Sequence, residues 1–310
     1  MSRGFRKIQV ARLMQQIANN PQLRLFRITL QQSFIRLLML CGLFITPGVS
    51  ASEPLRIASL PMESRELTLA AFEPVAHYLE RQLQQPVQLI FLESNQEVVE
   101  ALDTGQLDIA MLGPLPFITL NAKNSQIHPL VFFRESSGKA RYRCKLVAFA
   151  GDNIDITQLR NQRVALTQPL STCGYLGTNA ILLARAGHDL EQTNYTYYTT
   201  HEAAALAVVA GRADVAGIKD AFAFNYASLG LEVLAASDWV PAVGMFANAD
   251  QLSNEQIVRI RDILLTAPER EYVNWGHFMR YGMQEASYTD FESLKHFGDP
   301  ALIPQSSGPD

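Results

Sequence analysis

Apolar residues open the patterned part of the chain as a strand-like block, Leu55-Arg56-Ile57-Ala58-Ser59-Leu60, which Pro61 stops. They then recur at helical spacing through Leu67, Ala71, Val75, Leu79 and Leu83, before Pro86 to Phe91 returns to a strand-like run. Strand, amphipathic helix, strand is a βαβ unit, and its alternation along the chain predicts α/β architecture with mainly parallel strands. The segment Ala101-Leu102-Asp103-Thr104-Gly105-Gln106-Leu107-Asp108-Ile109-Ala110 recurs as Ala207-Val208-Val209-Ala210-Gly211-Arg212-Ala213-Asp214-Val215-Ala216. Each copy reads as a helix end, a glycine free to turn left-handed, and a buried strand. Each also leads into a fresh loop and helix, at Gly113-Pro114-Leu115-Pro116-Phe117 and at Lys219-Asp220-Ala221-Phe222. A repeat of this kind predicts two lobes of similar build.

Polar residues from Arg134 to Lys139 read as a connection into the second lobe, opened by a long strand from Tyr142 to Ala150. A return crossing is predicted at Ser237 to Pro241, before Gly244-Met245-Phe246. Residues 255–266 and 268–282 then read as helices packing back on the first lobe. The expected division is 1–51 as an export signal, 52–141 with 242–310 as lobe one, and 142–241 as lobe two. Two crossings hinge such lobes around a ligand cleft.

Charge changes the picture at the N-terminus. Residues 1–51 hold seven Lys or Arg and no Asp or Glu, and the apolar run Leu37 to Ile45 is too short to span a bilayer as a helix. Pro47-Gly48 ends the run and Val49-Ser50-Ala51 supplies small residues, so a signal peptide cleaved after Ala51 is expected, with periplasmic export. An uncleaved anchor and a lipidated Cys41 are the rival readings. Removal of this segment leaves 19 Lys and Arg against 30 Asp and Glu, a net charge near −11. A chain so acidic has no basic stripe with which to release nucleic-acid counterions, so a nucleic-acid partner is not expected.

The sharpest local chemistry lies in Val164-Ala165-Leu166-Thr167-Gln168-Pro169-Leu170-Ser171-Thr172-Cys173-Gly174-Tyr175-Leu176-Gly177. A strand ends, Pro169 turns the chain, and Ser171 or Thr172 stands where an N-cap belongs, before a helix predicted from Gly174 to about Ala186. By itself the pair is a helix cap; equally, free amides and the positive end of a helix dipole form an anion site. The six histidines are scattered without metal-ligand spacing, so neither metal nor cofactor is expected.

This stretch resembles the Ser-Thr-Ser-Gly-Tyr motif of the phosphate, phosphite and phosphonate-binding proteins of ABC importers, with Cys173 in place of the second Ser. Asp108 to Pro114, Arg141-Tyr142-Arg143, Thr200-His201-Glu202, Gly211 to Asp214, and Ser237 to Pro241 follow the same family order. The resemblance implies a type II periplasmic binding fold, two hinged α/β lobes with a ligand cleft between them. It implies that Ser171, Thr172 and the amides of Cys173 and Gly174 cradle a small oxyanion, that His201 donates to it, and that Phe117 faces it across the cleft. Lys219 or Asp220 would read the rest of the ligand. Phe117 stands where the family has Tyr, and Cys173 where it has Ser, so two donors are missing.

Cys144 opens the first strand of lobe two and Cys173 lies on the ligand loop. With Cα atoms within about 7 Å of one another they could form a disulfide; otherwise they are small buried hydrophobes. The expected function is non-enzymatic capture of a phosphonate, phosphite or phosphate-type anion by a monomer, for delivery to an ABC permease. A module signalling to a membrane sensor is the alternative. A nucleophilic Cys173 with His201 as base is a third reading, without an orienting third residue.

Overall fold

Two β-sheets, each covered by helices, organise the chain. The computed structural model describes residues 52–307 apart from Asn161, together with Arg12, Gln15 and Asn19; the export-signal reading of residues 1–51, Cys41 included, lies outside the described residues. The first sheet contains β1 (Leu55–Ser59), β2 (Val87–Ile90), β3 (Ile109–Leu112), β4 (Ile127–Phe133), β10 (Gly244–Asn248) and β11 (Met283–Glu285), in the order β11-β4-β10-β3-β1-β2. The second contains β5 (Arg141–Phe149), β6 (Arg163–Leu166), β7 (Asn194–Tyr197), β8 (Val215–Lys219) and β9 (Leu231–Pro241), in the order β7-β6-β8-β5-β9. Each sheet with its helices is one lobe, as the α/β two-lobed expectation requires.

The sheets are mixed, which corrects the expectation of mainly parallel strands. Parallel pairing is confined to β1 with β2 and β3, and to β6 with β7 and β8. The strands that carry the chain between lobes pair antiparallel: β10 with β3 and β4, and β5 with β8 and β9. A chain that leaves one lobe and returns to it must run back beside its own exit, and antiparallel pairs result. The two crossings are themselves bonded, Arg141 lying opposite Pro241 and the Ala242 N–H donating to the Ala140 carbonyl at 3.0 Å.

The sequence repeat is a structural repeat. Helix α2 (Asn95–Asp103) ends before Gly105 at φ 72°, and its counterpart α5 (His201–Val209) before Gly211 at φ 66°. In copy one, Asp108 accepts the Arg56 N–H at 2.7 Å and its guanidinium at 2.6 Å. In copy two, Asp214 accepts the Arg163 N–H at 2.7 Å and its guanidinium at 2.5 Å. The repeated aspartate thus ties the start of one parallel strand to the start of its neighbour, far from the strands' C-terminal ends.

Helices α1 (Arg65–Leu83), α3 (Pro114–Asn121) and α7 (Asn254–Leu265) belong to the first lobe; α4 (Tyr175–Ala186) and α6 (Asp220–Asn225) belong to the second. The helix expected over 268–282 is reduced to one turn, α8 (Glu269–Tyr272). Beyond it the Gly276 N–H donates to the Ala71 carbonyl and Gly282 sits at φ 79°, and neither is compatible with a continuous helix. The chain then crosses once more: the Tyr197 hydroxyl of β7 donates to the Pro304 carbonyl at 2.8 Å, and the Tyr197 N–H to Ser307 Oγ at 3.0 Å.

Candidate functional site

Strands β1, β3, β6 and β8 all end at one place between the lobes, where α/β sheets place their ligands. After β1 come Leu60, Pro61 and Met62; after β3, Gly113; after β6, Thr167, Gln168, Leu170, Ser171 and Thr172; at the end of β8, Lys219. Asn95, Thr200, His201 and Tyr142 complete the main walls. The cavity volume is about 30 Å³, room for about two or three waters. The space therefore suits one small polar group.

Three helix N-termini meet at this pocket. Helix α2 starts at Asn95 behind its cap Ser94, α3 follows Gly113 with no side-chain cap bond, and α5 starts at His201 behind its cap Thr200. Two come from the first lobe and one from the second, so positive dipole ends face the cavity from both sides. The lobes touch across it: the Leu115 N–H donates to Thr172 Oγ1 at 3.0 Å, and the Asn95 N–H to Gln168 Oε1 at 2.8 Å. The cleft is closed.

The structure rearranges the expected residues. Helix α4 begins at Tyr175 with Gly174 as its cap residue, so neither Ser171 nor Thr172 is the N-cap. Both hydroxyl residues line the pocket instead. The Gly174 amide is not free for an anion, because it donates to the Ser171 carbonyl at 3.0 Å. Gly174 passes so close to Thr167 that a Cβ would lie 2.8 Å from the Thr167 carbonyl oxygen, which is why a residue without a side chain stands there. Cys173 is buried and outside the lining; it is joined to Cys144, with an Sγ–Sγ distance of 2.02 Å and a Cα–Cα distance of 5.0 Å. The bond ties the ligand loop to β5, and a disulfide sulfur is not a nucleophilic thiol.

Phe117 does not face the cleft. Its ring is stacked on Phe246 at 4.6 Å and against Phe291 at 4.4 Å, inside the first lobe's core. The fourth helical position after Gly113 turns inward, and Pro116, the third, lines the pocket in its place. Asp220 is also turned away: its carboxylate accepts the Arg143 and Ala221 N–H groups, fastening α6 to β5.

Lys219 is only 3% exposed, so it is no solvated surface lysine. Its ammonium lies 2.7 Å from Glu135 Oε1 and above the Tyr142 ring at 4.9 Å. His201 stacks on Phe222 at 4.8 Å, and its Nδ1 accepts the Lys219 N–H at 3.2 Å, which leaves Nε2 as the protonated nitrogen. Burial, helped by the Lys219 charge, pushes the imidazole down to about 3, so the ring is neutral at ordinary pH. Burial likewise holds the Tyr142 phenol well above its ordinary range, despite a hydrogen bond with Thr172, so its proton stays on.

Sequence reasoning missed Asn95, Tyr142, Thr167, Gln168 and Thr200 as wall residues. Two of them had a readable signal. Ser94-Asn95 starts a helix shortly after the predicted strand Pro86 to Phe91, and Thr200-His201 opens the helix whose end is the second copy of the repeat. Among the described residues, no group of three or more His, Cys, Asp or Glu is placed to hold a metal ion.

The chain resembles known proteins over most of its length. A family model described as "ABC transporter, phosphonate, periplasmic substrate-binding protein" matches residues 57–294. A phosphate-import protein, PhnD, of Mycolicibacterium smegmatis is 25% identical over 172 residues, covering 52% of this chain. The match spans about half of that relative, 54% of its length. Among solved structures, a binding component of an ABC phosphonate transporter from Pseudomonas aeruginosa superposes with a TM-score of 0.70 at 19% identity, over 79% of this chain and 85% of its own. PhnD1 of Prochlorococcus marinus, in complex with methylphosphonate, gives 0.70 at 15% identity, over 79% and 96%. Identities this low show the fold alone; the family match is what places the sequence. The chain belongs to the periplasmic substrate-binding proteins of phosphonate ABC transporters.

Proposed function

We propose that this chain captures a small oxyanion of the phosphonate, phosphite or phosphate type in the closed pocket and hands it to the membrane permease of an ABC importer. The observation that carries the reading is the convergence of three helix N-termini, from both lobes, on a pocket walled by Ser171, Thr172, His201 and Lys219. Amides and hydroxyls held at the helix ends by the fold are placed to donate to negative oxygens. In this reading His201 donates from Nε2, and Lys219, its charge matched by Glu135, forms the wall at the end of β8. The lobes divide at 141/142 and at 241/242, with the segment from Pro304 to Ser307 lying back on the second lobe, and they hinge about these connections, opening for entry and closing on the anion. Cys173 and Gly174 support the loop without touching the ligand. The protein acts as a monomer in the periplasm, exported by residues 1–51, and performs no chemistry on what it carries.

The relatives' own names support this ligand class, and so does the pocket's size, which admits an oxyanion head and little else. Titration calorimetry of the purified protein with phosphate, phosphite, methylphosphonate and sulfate tests it. One site per chain for at least one phosphorus oxyanion is expected. Absence of heat and of thermal stabilisation with all of them refutes it.

A further inference from the structure

One wall residue has no structural task. Thr167, directly after β6, is 2% exposed, lines the pocket, and its hydroxyl has no hydrogen-bond partner among the described residues. Its neighbours are committed: Gln168 bonds across the cleft and to the Thr199 carbonyl, and Thr172 accepts from Leu115. The approach of Gly174 leaves no room behind the Thr167 hydroxyl, since a Cβ there would be 2.9 Å from Oγ1. A buried hydroxyl without a partner costs roughly 1–3 kcal/mol relative to one that is bonded. A valine would fill the same volume without that cost, so the oxygen has value only when something enters the pocket.

The charges around that hydroxyl are balanced. Tyr142, His201 and Lys219 are the ionisable groups of the lining. Lys219 is matched by Glu135 at 2.7 Å, His201 is engaged as an acceptor by the Lys219 N–H, and Tyr142 is a neutral phenol beneath the ammonium. His277 also feels the Lys219 charge, and Glu63 and Glu202, each next to a lining residue, add only negative charge near the rim. The positive potential left over is that of the helix ends, about half a charge each before screening. That suits one negative charge on the guest, and a second would be buried without a counter-charge.

We propose that the Thr167 hydroxyl is a ligand contact, accepting the hydrogen of a protonated ligand oxygen, and that the pocket takes its oxyanion in the singly ionised form. This rests on the capture reading above and deepens it. A hydroxyl serves as acceptor as well as donor, whereas a wall of N–H groups alone has no place for a P–OH. Singly ionised methylphosphonate and phosphite carry such a hydrogen; sulfate at neutral pH carries two charges and none.

The test is calorimetry of the full-length protein and its Thr167→Val and Thr167→Ser variants with methylphosphonate, phosphite and sulfate, below and above the second ionisation of each phosphorus ligand. T167V is expected to weaken methylphosphonate binding by about tenfold or more while leaving the melting temperature without ligand unchanged or slightly raised. T167S, which keeps the oxygen, is expected to stay within a few-fold of the parent. Affinity for the phosphorus anions is expected to fall as pH rises through their second ionisation, by up to about tenfold per pH unit, with sulfate at least about tenfold weaker. Unchanged affinity in T167V, or equal losses in T167S and T167V, overturns the contact. Affinity that is flat or rises with pH, or sulfate bound as tightly, overturns the singly ionised guest. Failure of the parent protein to bind any of the three refutes the capture reading itself, which is a different result from each of these.

Discussion

His201 makes the folded state sensitive to mild acid, and the size of the effect follows from its surroundings. In the unfolded chain the imidazole takes up a proton near 6.5; buried against Phe222, and close to Lys219, it resists protonation down to about 3. The unfolded state therefore binds the proton first as pH falls. The stability this group contributes is present above 6.5 and is lost progressively between 6.5 and about 3. Each pH unit within that window is worth about 1.4 kcal/mol, so a fall from neutrality to pH 5 removes about 2 kcal/mol from this residue alone. His201→Asn is the useful perturbation, because its carbonyl can still accept the Lys219 N–H while the titrating ring is gone. The variant starts less stable, having lost ring packing, but its stability should fall less steeply between pH 7 and pH 5 by about the same 2 kcal/mol. Urea denaturation followed by tryptophan fluorescence, at several pH values, reads both slopes. Equal slopes for parent and variant would refute a buried, neutral His201.

Three further outcomes follow from the same structure. The Cys144–Cys173 bond closes a loop with a sequence separation of 29, which in the chain-entropy view stabilises the fold by about 3–4 kcal/mol; reduction, or the Cys144→Ala and Cys173→Ala double variant, should lower the unfolding free energy by that amount in urea denaturation, and an unchanged unfolding free energy contradicts it. Ser171→Ala with Thr172→Val should weaken oxyanion binding by a few kcal/mol in calorimetry, since hydrogen bonds to charged groups contribute about 1.5–3 kcal/mol each and Thr172 also holds the lobes together through Leu115. Asp108→Ala should destabilise the protein by about 1–3 kcal/mol in thermal denaturation with binding at saturation intact, because Asp108 fastens the far ends of β1 and β3 and takes no part in the pocket.

The architecture was readable because its signals are local and repeated. Two glycine-bearing copies, 106 positions apart, mark a helix end and a strand start in each lobe, and both glycines take the left-handed conformation this requires. The existence of the pocket was readable from the loop after β6, but the direction of each side chain was not. Ser171 and Thr172 looked like caps because the hydroxyls precede a helix; only the position of Leu115, some 57 residues earlier in the chain, shows that Thr172 bonds across the cleft. Phe117 and Asp220 were placed at the ligand by their position in a motif, and tertiary packing turned both elsewhere. Lys219 read equally well as a charged ligand group or as a solvated surface lysine, since its partner Glu135 lies on the other side of the first crossing. What a sequence does not carry is which of several nearby polar groups meet one another once two lobes close.

That closure bears on what the pocket can hold. The cross-lobe bonds from Leu115 and Asn95 end on Thr172 and Gln168, both of them pocket walls. An arriving anion enters a space whose helix-end amides already have neutral partners, so it must offer better acceptors than a hydroxyl or a carboxamide oxygen. A charged oxygen does, by roughly a factor of two in hydrogen-bond strength. A neutral ligand of the same size would exchange one neutral partner for another and gain nothing from closure. The same contacts that shut the lobes thus exclude uncharged solutes, and selectivity for an anion arises from the competition without any unpaired cation in the site.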